Sequence, residues 1–138
     1  MESILSISDP NKRRVFIEIS NLRLRDAILF LTKNGFSYLS AITGSQTDDN
    51  LIEILYHLDN AGSLLTLRVV LPEGECSIPT ITDIIIGALL YEREIYEMYG
   101  VHFNGHPSLK KLVLPDGWKD KSFPLRTLRP TEKTENQK

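Results

Sequence analysis

Apolar positions along this chain recur at every second residue, then at every third or fourth, then at every second again, and each change of period predicts an element. Residues 15–19 are β-branched and aromatic apart from Glu18, which predicts a strand, and Ser20 or Asn21 then offers an N-cap. Leu24, Ala27, Ile28 and Leu31 fall at i, i+3, i+4 and i+7, the apolar stripe of a helix, and Gly35 stands where a left-handed residue would end it. Arg23, Arg25 and Lys33 fit its solvated face. Residues 36–42 predict a second strand, closed by Gly44 and the polar loop 45–50. Residues 51–58 and 64–71 are two strand-rich runs joined through Asp59, Asn60, Ala61 and Gly62, a hairpin turn. In the second run Leu65, Leu67, Val69 and Leu71 face one way and Leu64, Thr66, Arg68 and Val70 the other, as in a sheet covered on one face.

Residues 72–79 read as a connector, and Thr80 with Asp83 predicts a capping box for a second helix reaching Tyr99, with Gly100 as its stop. Ile84, Ala88, Tyr91, Ile95 and Met98 form its apolar stripe. Glu92 and Glu94 flank that stripe, and Arg93 and Glu97 fall on the outer half as an exposed i, i+4 pair. The order β-α-β-β-β-α predicts an α+β two-layer sandwich, a mostly antiparallel sheet covered by two helices, followed by an extended C-terminal tail. The expected divisions are an α+β domain over 1–100, a tail over 101–130 and a frayed polar end over 131–138.

The tail alternates apolar anchors (Phe103, Leu109, Leu112, Leu114, Trp118, Phe123, Leu125) with Gly105, Pro107, Pro115, Gly117, Pro124 and Pro130, so no ordinary helix or strand fits it. Such a segment either folds back on its own domain or wraps a partner. Lys110, Lys111, Lys119, Lys121, Arg126 and Arg129 make it basic and favour an acidic or polar partner surface.

Bulk composition narrows the field less. With 138 residues, one domain and a tail is the economical reading, and 41% hydrophobic against 25% charged residues is ordinary for a globular protein. A formal charge of −2 gives no reason to expect nucleic acid as a partner. The single Cys76 cannot form an internal disulfide, and a reducing compartment is expected. Neither a signal sequence nor an apolar run of membrane-spanning length is evident, so attachment to a membrane would depend on another subunit.

Candidate chemistry is sparse. Glu92 or Glu94 with His106 could form an acid/base pair in a free-standing enzyme. His102 and His106 are four apart, but Gly105 and Pro107 break the helix a metal-binding pair would need. An independent peptide-binding adaptor is a third reading.

Glu92-Arg93-Glu94, Tyr99-Gly100, Phe103-x-Gly105-His106-Pro107-x-Leu109, Leu114-Pro115-Asp116-x-Trp118 and Pro124-Leu125-Arg126, in this order and spacing, resemble the signature of the 30-kDa subunit family of respiratory complex I. Residues 38–44 and Tyr56-His57-Leu58 extend the likeness upstream. The family includes the equivalent subunit of membrane-bound energy-converting [NiFe] hydrogenases. The resemblance implies a non-catalytic scaffold with no catalytic, metal or cofactor-binding residue, docked on the large catalytic subunit and an adjacent iron–sulfur subunit. Iron–sulfur clusters, with a [NiFe] site or a quinone, would belong to those partners. It implies a peripheral place on the cytoplasmic face of the membrane in an ion-translocating assembly. The partner interface it implies comprises Glu92, Arg93, Glu94, Phe103, His106, Pro107, Leu109, Leu114, Trp118, Pro124, Leu125 and Arg126. Leu90 stands where the complex I pattern has Trp, Glu97 where it has Asp, Tyr99 where Phe is common, and Ser122-Phe123 where it has Gly-His. These departures, with the short N-terminus, favour the hydrogenase-like branch.

Overall fold

A five-stranded sheet, backed on one face by two helices, carries the core. The structure, a computed structural model, describes residues 4–8 (backbone only), 14–110, 123 and 125. The strands are β1 (Ile4–Ser8), β2 (Arg14–Ile19), β3 (Tyr38–Gln46), β4 (Ile52–Asn60) and β5 (Ser63–Val70), ordered β1-β2-β5-β4-β3. Neighbours are antiparallel except β2 and β5, which are parallel. The expected α+β sandwich is therefore present, with β1 added at one edge. Helix α1 (Leu24–Lys33) follows a 3-10 turn over Asn21–Arg23, and α2 (Ala88–Tyr99) crosses β3. A second, two-stranded sheet pairs β6 (Ser77–Pro79) in parallel with β7 (His102–Asn104).

Local sequence accounts for most of these bounds. The Ser20 hydroxyl accepts the Leu22 N–H at 3.3 Å, and α1 buries Leu24, Ile28 and Leu31, each worth about 1.5–3 kcal/mol when fully covered. Gly35 stands at φ +97, a left-handed conformation that favours glycine, and a Cβ there would displace the Asn60 side-chain amide 2.7 Å away. The β4–β5 hairpin turns through Ala61 (φ 50) and Gly62 (φ 92), the positive-φ pair of a two-residue loop.

The alternation read in β5 is observed. Leu65, Leu67, Val69 and Leu71 join Ile54, Tyr56 and Leu58 in the core. On the other face Arg68 donates to Glu53 at 2.6 Å and to Glu18 at 3.2 Å, while Ser45 donates to Glu53 at 2.6 Å. Burial alone would raise the Glu53 carboxyl, but Ser45 and Arg68 together bring it below its ordinary value.

Three expectations need correction. Gly44 lies inside β3 and does not close it, because the Tyr99 ring sits 3.1 Å from where a Cβ would be and fills that space. Helix α2 starts at Ala88, after a series of turns, since Thr80 and Asp83 do not cap it: Thr80 bonds Glu92 and Asp83 bonds Arg25. The chain after Gly100 does not leave the domain, because Val101 and Phe103 are core residues and His102–Asn104 forms β7. The frayed end expected over 131–138 lies outside the described residues.

Candidate functional site

Glu92 is 0% exposed, and the charged junction between α2 and the following segment is built around it. Its Oε1 accepts the Thr80 hydroxyl at 2.5 Å and its Oε2 the Ile81 N–H at 2.9 Å. Because the Thr80 proton goes to Glu92, the Thr80 oxygen acts as acceptor for the Thr82 N–H at 3.1 Å and the Thr82 hydroxyl at 2.9 Å. The Thr80 peptide is held as firmly: its N–H donates to the Asn104 carbonyl at 2.9 Å, and its carbonyl accepts from Arg25 at 2.7 Å. Arg25 also forms a two-pronged pair with Asp83, both contacts at 2.7 Å, which holds Asp83 below and Arg25 above their ordinary values.

Burial pushes the Glu92 carboxyl above its ordinary value, against the opposing effects of Ile81, Thr80 and His106. The Tyr56 hydroxyl, also buried and without a partner among the described residues, is pushed well up by burial and by the nearby Glu92.

His106 is equally committed. Its Nδ1 accepts the Ser108 N–H at 2.9 Å, which leaves the proton on Nε2, donated to the Leu89 carbonyl at 3.0 Å. Both ring nitrogens thereby have partners within this chain. His102 pairs with the neighbouring Asn104 side chain at 2.9 Å, so the two imidazoles serve different partners. Among the described residues no three His, Cys, Asp or Glu side chains cluster as metal ligands. Arg93 donates to the Lys110 carbonyl at 3.1 Å, and the Tyr91 hydroxyl to the Ser40 carbonyl at 3.1 Å, at the bulge in β3. This arrangement fixes backbone.

The implied interface residues divide accordingly. Glu92 and Phe103, buried within this chain, offer no surface to a partner, which corrects their place in that set: Glu92 continues the Ala88–Ile95 stripe, and Phe103 fills the core beneath β6 and β7. Glu94 and Pro107 are exposed, and Arg93, His106 and Leu109 are half-buried. Leu125 is 52% exposed. Leu114, Trp118, Pro124 and Arg126 lie outside the described residues. Glu97 is 3% exposed, not on an open face, because α2 is covered on more sides than one stripe requires. Part of that cover is the tail: Phe123 packs where a Gly100 Cβ would stand, and the Leu125 N–H donates to the Met98 carbonyl at 3.1 Å. Thr80, Arg25 and Asp83 were not singled out as a unit by sequence. The available signal was Glu92 at i+4 from Ala88 and i−3 from Ile95, a carboxylate on a buried stripe that must find donors.

A family described as the 30-kDa subunit of respiratory-chain NADH dehydrogenase matches residues 17–135. The C-type subunit of the NADH-quinone oxidoreductase of Chloroherpeton thalassium is 30% identical over 125 residues, 86% of this chain and 51% of that protein. The combined C/D-type subunit of the same enzyme in Baumannia cicadellinicola is 33% identical over 130 residues, 85% of this chain but 22% of that protein. The chain thus spans about half, or about a fifth, of the curated relatives it matches. Among solved structures, a trypsin-resistant fragment of Nqo5 superposes with a TM-score of 0.68 and 26% identity over 78% of this chain and 91% of the fragment. A chain of an archaeal membrane-bound sulfane sulfur reductase, a respiratory membrane complex, gives 0.71 and 25% identity over 91% of this chain and 73% of that one. Sequence motif, family match and fold agree: this chain belongs to the family of the 30-kDa subunit of respiratory-chain NADH dehydrogenase.

Proposed function

We propose that this chain is a non-catalytic scaffold subunit of a membrane-associated, ion-translocating oxidoreductase of the complex I type, docked on the large catalytic subunit. The observation that carries this reading is the commitment of Glu92 and His106, the residues best suited to acid/base chemistry, to holding the chain's own backbone. Relatives of the combined C/D type support the choice of partner, since a C portion and a D portion joined in one polypeptide are neighbours by construction. Iron–sulfur clusters and the quinone or [NiFe] site would then reside in other subunits, and this chain would sit at the cytoplasmic face, held by them. Among the described residues no helix is long and apolar enough to cross a membrane. Leu90 and Tyr99, which depart from the complex I pattern, keep the energy-converting hydrogenase as the second form of the same reading.

The test is His106→Ala in the native assembly, purified through a tag on the large subunit. Turnover per assembled complex is expected to stay within about twofold of the parent, whereas a true acid/base group contributes about 10²–10⁴-fold. Loss of that size with assembly intact, or failure of the chain to co-purify with a redox-active complex, refutes the reading.

A further inference from the structure

Strand β3 is the outer strand of the main sheet, and among the described residues nothing pairs with its outer edge. Natural sheets protect such edges with charge, proline, bulges or shortness. Over its nine residues, Tyr38–Gln46, β3 has no charged side chain and no proline. Its bulge lies at one end, between Leu39 and Ala41, where Tyr91 caps the Ser40 carbonyl. From 41 to 46 the strand is regular and carries small residues, Ala41, Gly44 and Ser45, that allow close approach. The opposite edge differs: β1 has five residues, a bulge of its own, and Asp9-Pro10 directly after it. Beside the β3 edge runs a groove of about 160 Å³, lined by Ile42, Thr43, Gly44, Ile95, Met98 and Tyr99, with Leu125 and the Glu94 carboxylate also at its wall.

We infer that residues 41–46 of β3 are a strand-addition site, filled in the assembly by an extended, uncharged segment of the D-type large subunit with an apolar side chain in the groove. Backbone hydrogen bonds along the edge would supply affinity and the groove the side-chain selectivity. Two observations favour this occupant. Relatives of the C/D type carry C and D portions in one polypeptide. The chain's own residues 126–138, with Pro130 and six charged side chains, have poor strand-forming composition. The inference rests on the scaffold reading above and adds the surface and the mode of contact.

The experiment introduces a photo-crosslinking phenylalanine analogue at Thr43 or, separately, at Leu125 in the native membrane assembly, and maps adducts by mass spectrometry. Strands in a ladder lie about 5 Å apart, within reach of the probe. The expected result is an adduct from position 43 to the large subunit. In the same assembly, successive amides over 41–46 are expected to exchange within about thirtyfold of one another, because both edges are hydrogen-bonded. An adduct from 43 to a second copy of this chain, to this chain's own residues 111–138, to any other protein or to none overturns the inference, as does a larger alternation between neighbouring amides. Capture of the large subunit from 125 but not from 43 overturns this inference and leaves the scaffold reading standing; absence of the chain from a redox-active assembly overturns both.

Discussion

Replacing Thr80 by Val keeps the shape of the side chain and removes one oxygen, yet that oxygen gives a hydrogen to buried Glu92 and accepts the Thr82 N–H. Hydrogen bonds to charged groups contribute about 1.5–3 kcal/mol, and a buried amide left without an acceptor costs about 1–3 kcal/mol. The added methyl returns about 0.8 kcal/mol. The net expectation for Thr80→Val is a loss of about 2–5 kcal/mol, a large share of the 5–15 kcal/mol typical of a domain. Glu92→Gln is expected to cost far less, about 1 kcal/mol. Its carbonyl can keep the Ile81 N–H, and its amide can donate to the Thr80 oxygen, whose proton turns to Thr82. The pair also separates in pH. The folded pKa of Glu92 is raised by burial, so the stability it contributes is fully present below the ordinary carboxylate value and is lost as pH rises through the raised value. The stability of the parent relative to Glu92→Gln should therefore fall from about pH 4 upward and then level off. Urea unfolding followed by circular dichroism at several pH values reads both effects. A Thr80→Val variant within about 0.5 kcal/mol of the parent, or a parent that gains on Glu92→Gln as pH rises, would refute the reasoning.

Gly100→Ala places a Cβ 2.5 Å from the Phe123 ring in a residue at φ +77; a drop of at least about 1–2 kcal/mol in stability is expected, readable as a lowered Tm. Asp83→Asn removes an exposed pair and should leave the urea midpoint nearly unchanged, whereas Arg25→Met also frees the Thr80 carbonyl and should lower the midpoint clearly in the same assay. Burial holds His57 below its ordinary value, so its contribution is present above about pH 6.5 and is lost as pH falls through the folded value. His57→Gln should flatten the decline in urea midpoint between about pH 7.5 and 5.

Regular patterns in the sequence are the parts the structure repeats. The stripe Leu24, Ile28 and Leu31 and the alternation in β5 are set by burial against one sheet face, and the stops at Gly35 and Gly100 by positive φ. What could not be read depends on contacts distant in sequence. Gly44 resembles a turn residue until Tyr99, 55 positions later, is seen to occupy its empty side. Thr80 and Asp83 have cap spacing, but Glu92 and Arg25 offer them stronger, charged partners. The pairing of Ser77–Pro79 with His102–Asn104 joins two three-residue strands too short to show a period. Two residues of the signature were legible as residues and misleading as surface: Phe103 and Glu92 lie in the interior of this chain, a distinction no one-dimensional pattern carries.

The grip on Thr80 has a kinetic consequence. One residue, Thr80, joins α1 through Arg25, α2 through Glu92 and the small sheet through Asn104, so fraying of any of them there disturbs a residue the other two hold. Regions tied in this way share one opening event and do not breathe separately. Under the proposed scaffold role, such all-or-none behaviour would keep a docked neighbour in register, since a partial excursion at one corner would otherwise shift whatever is mounted on it.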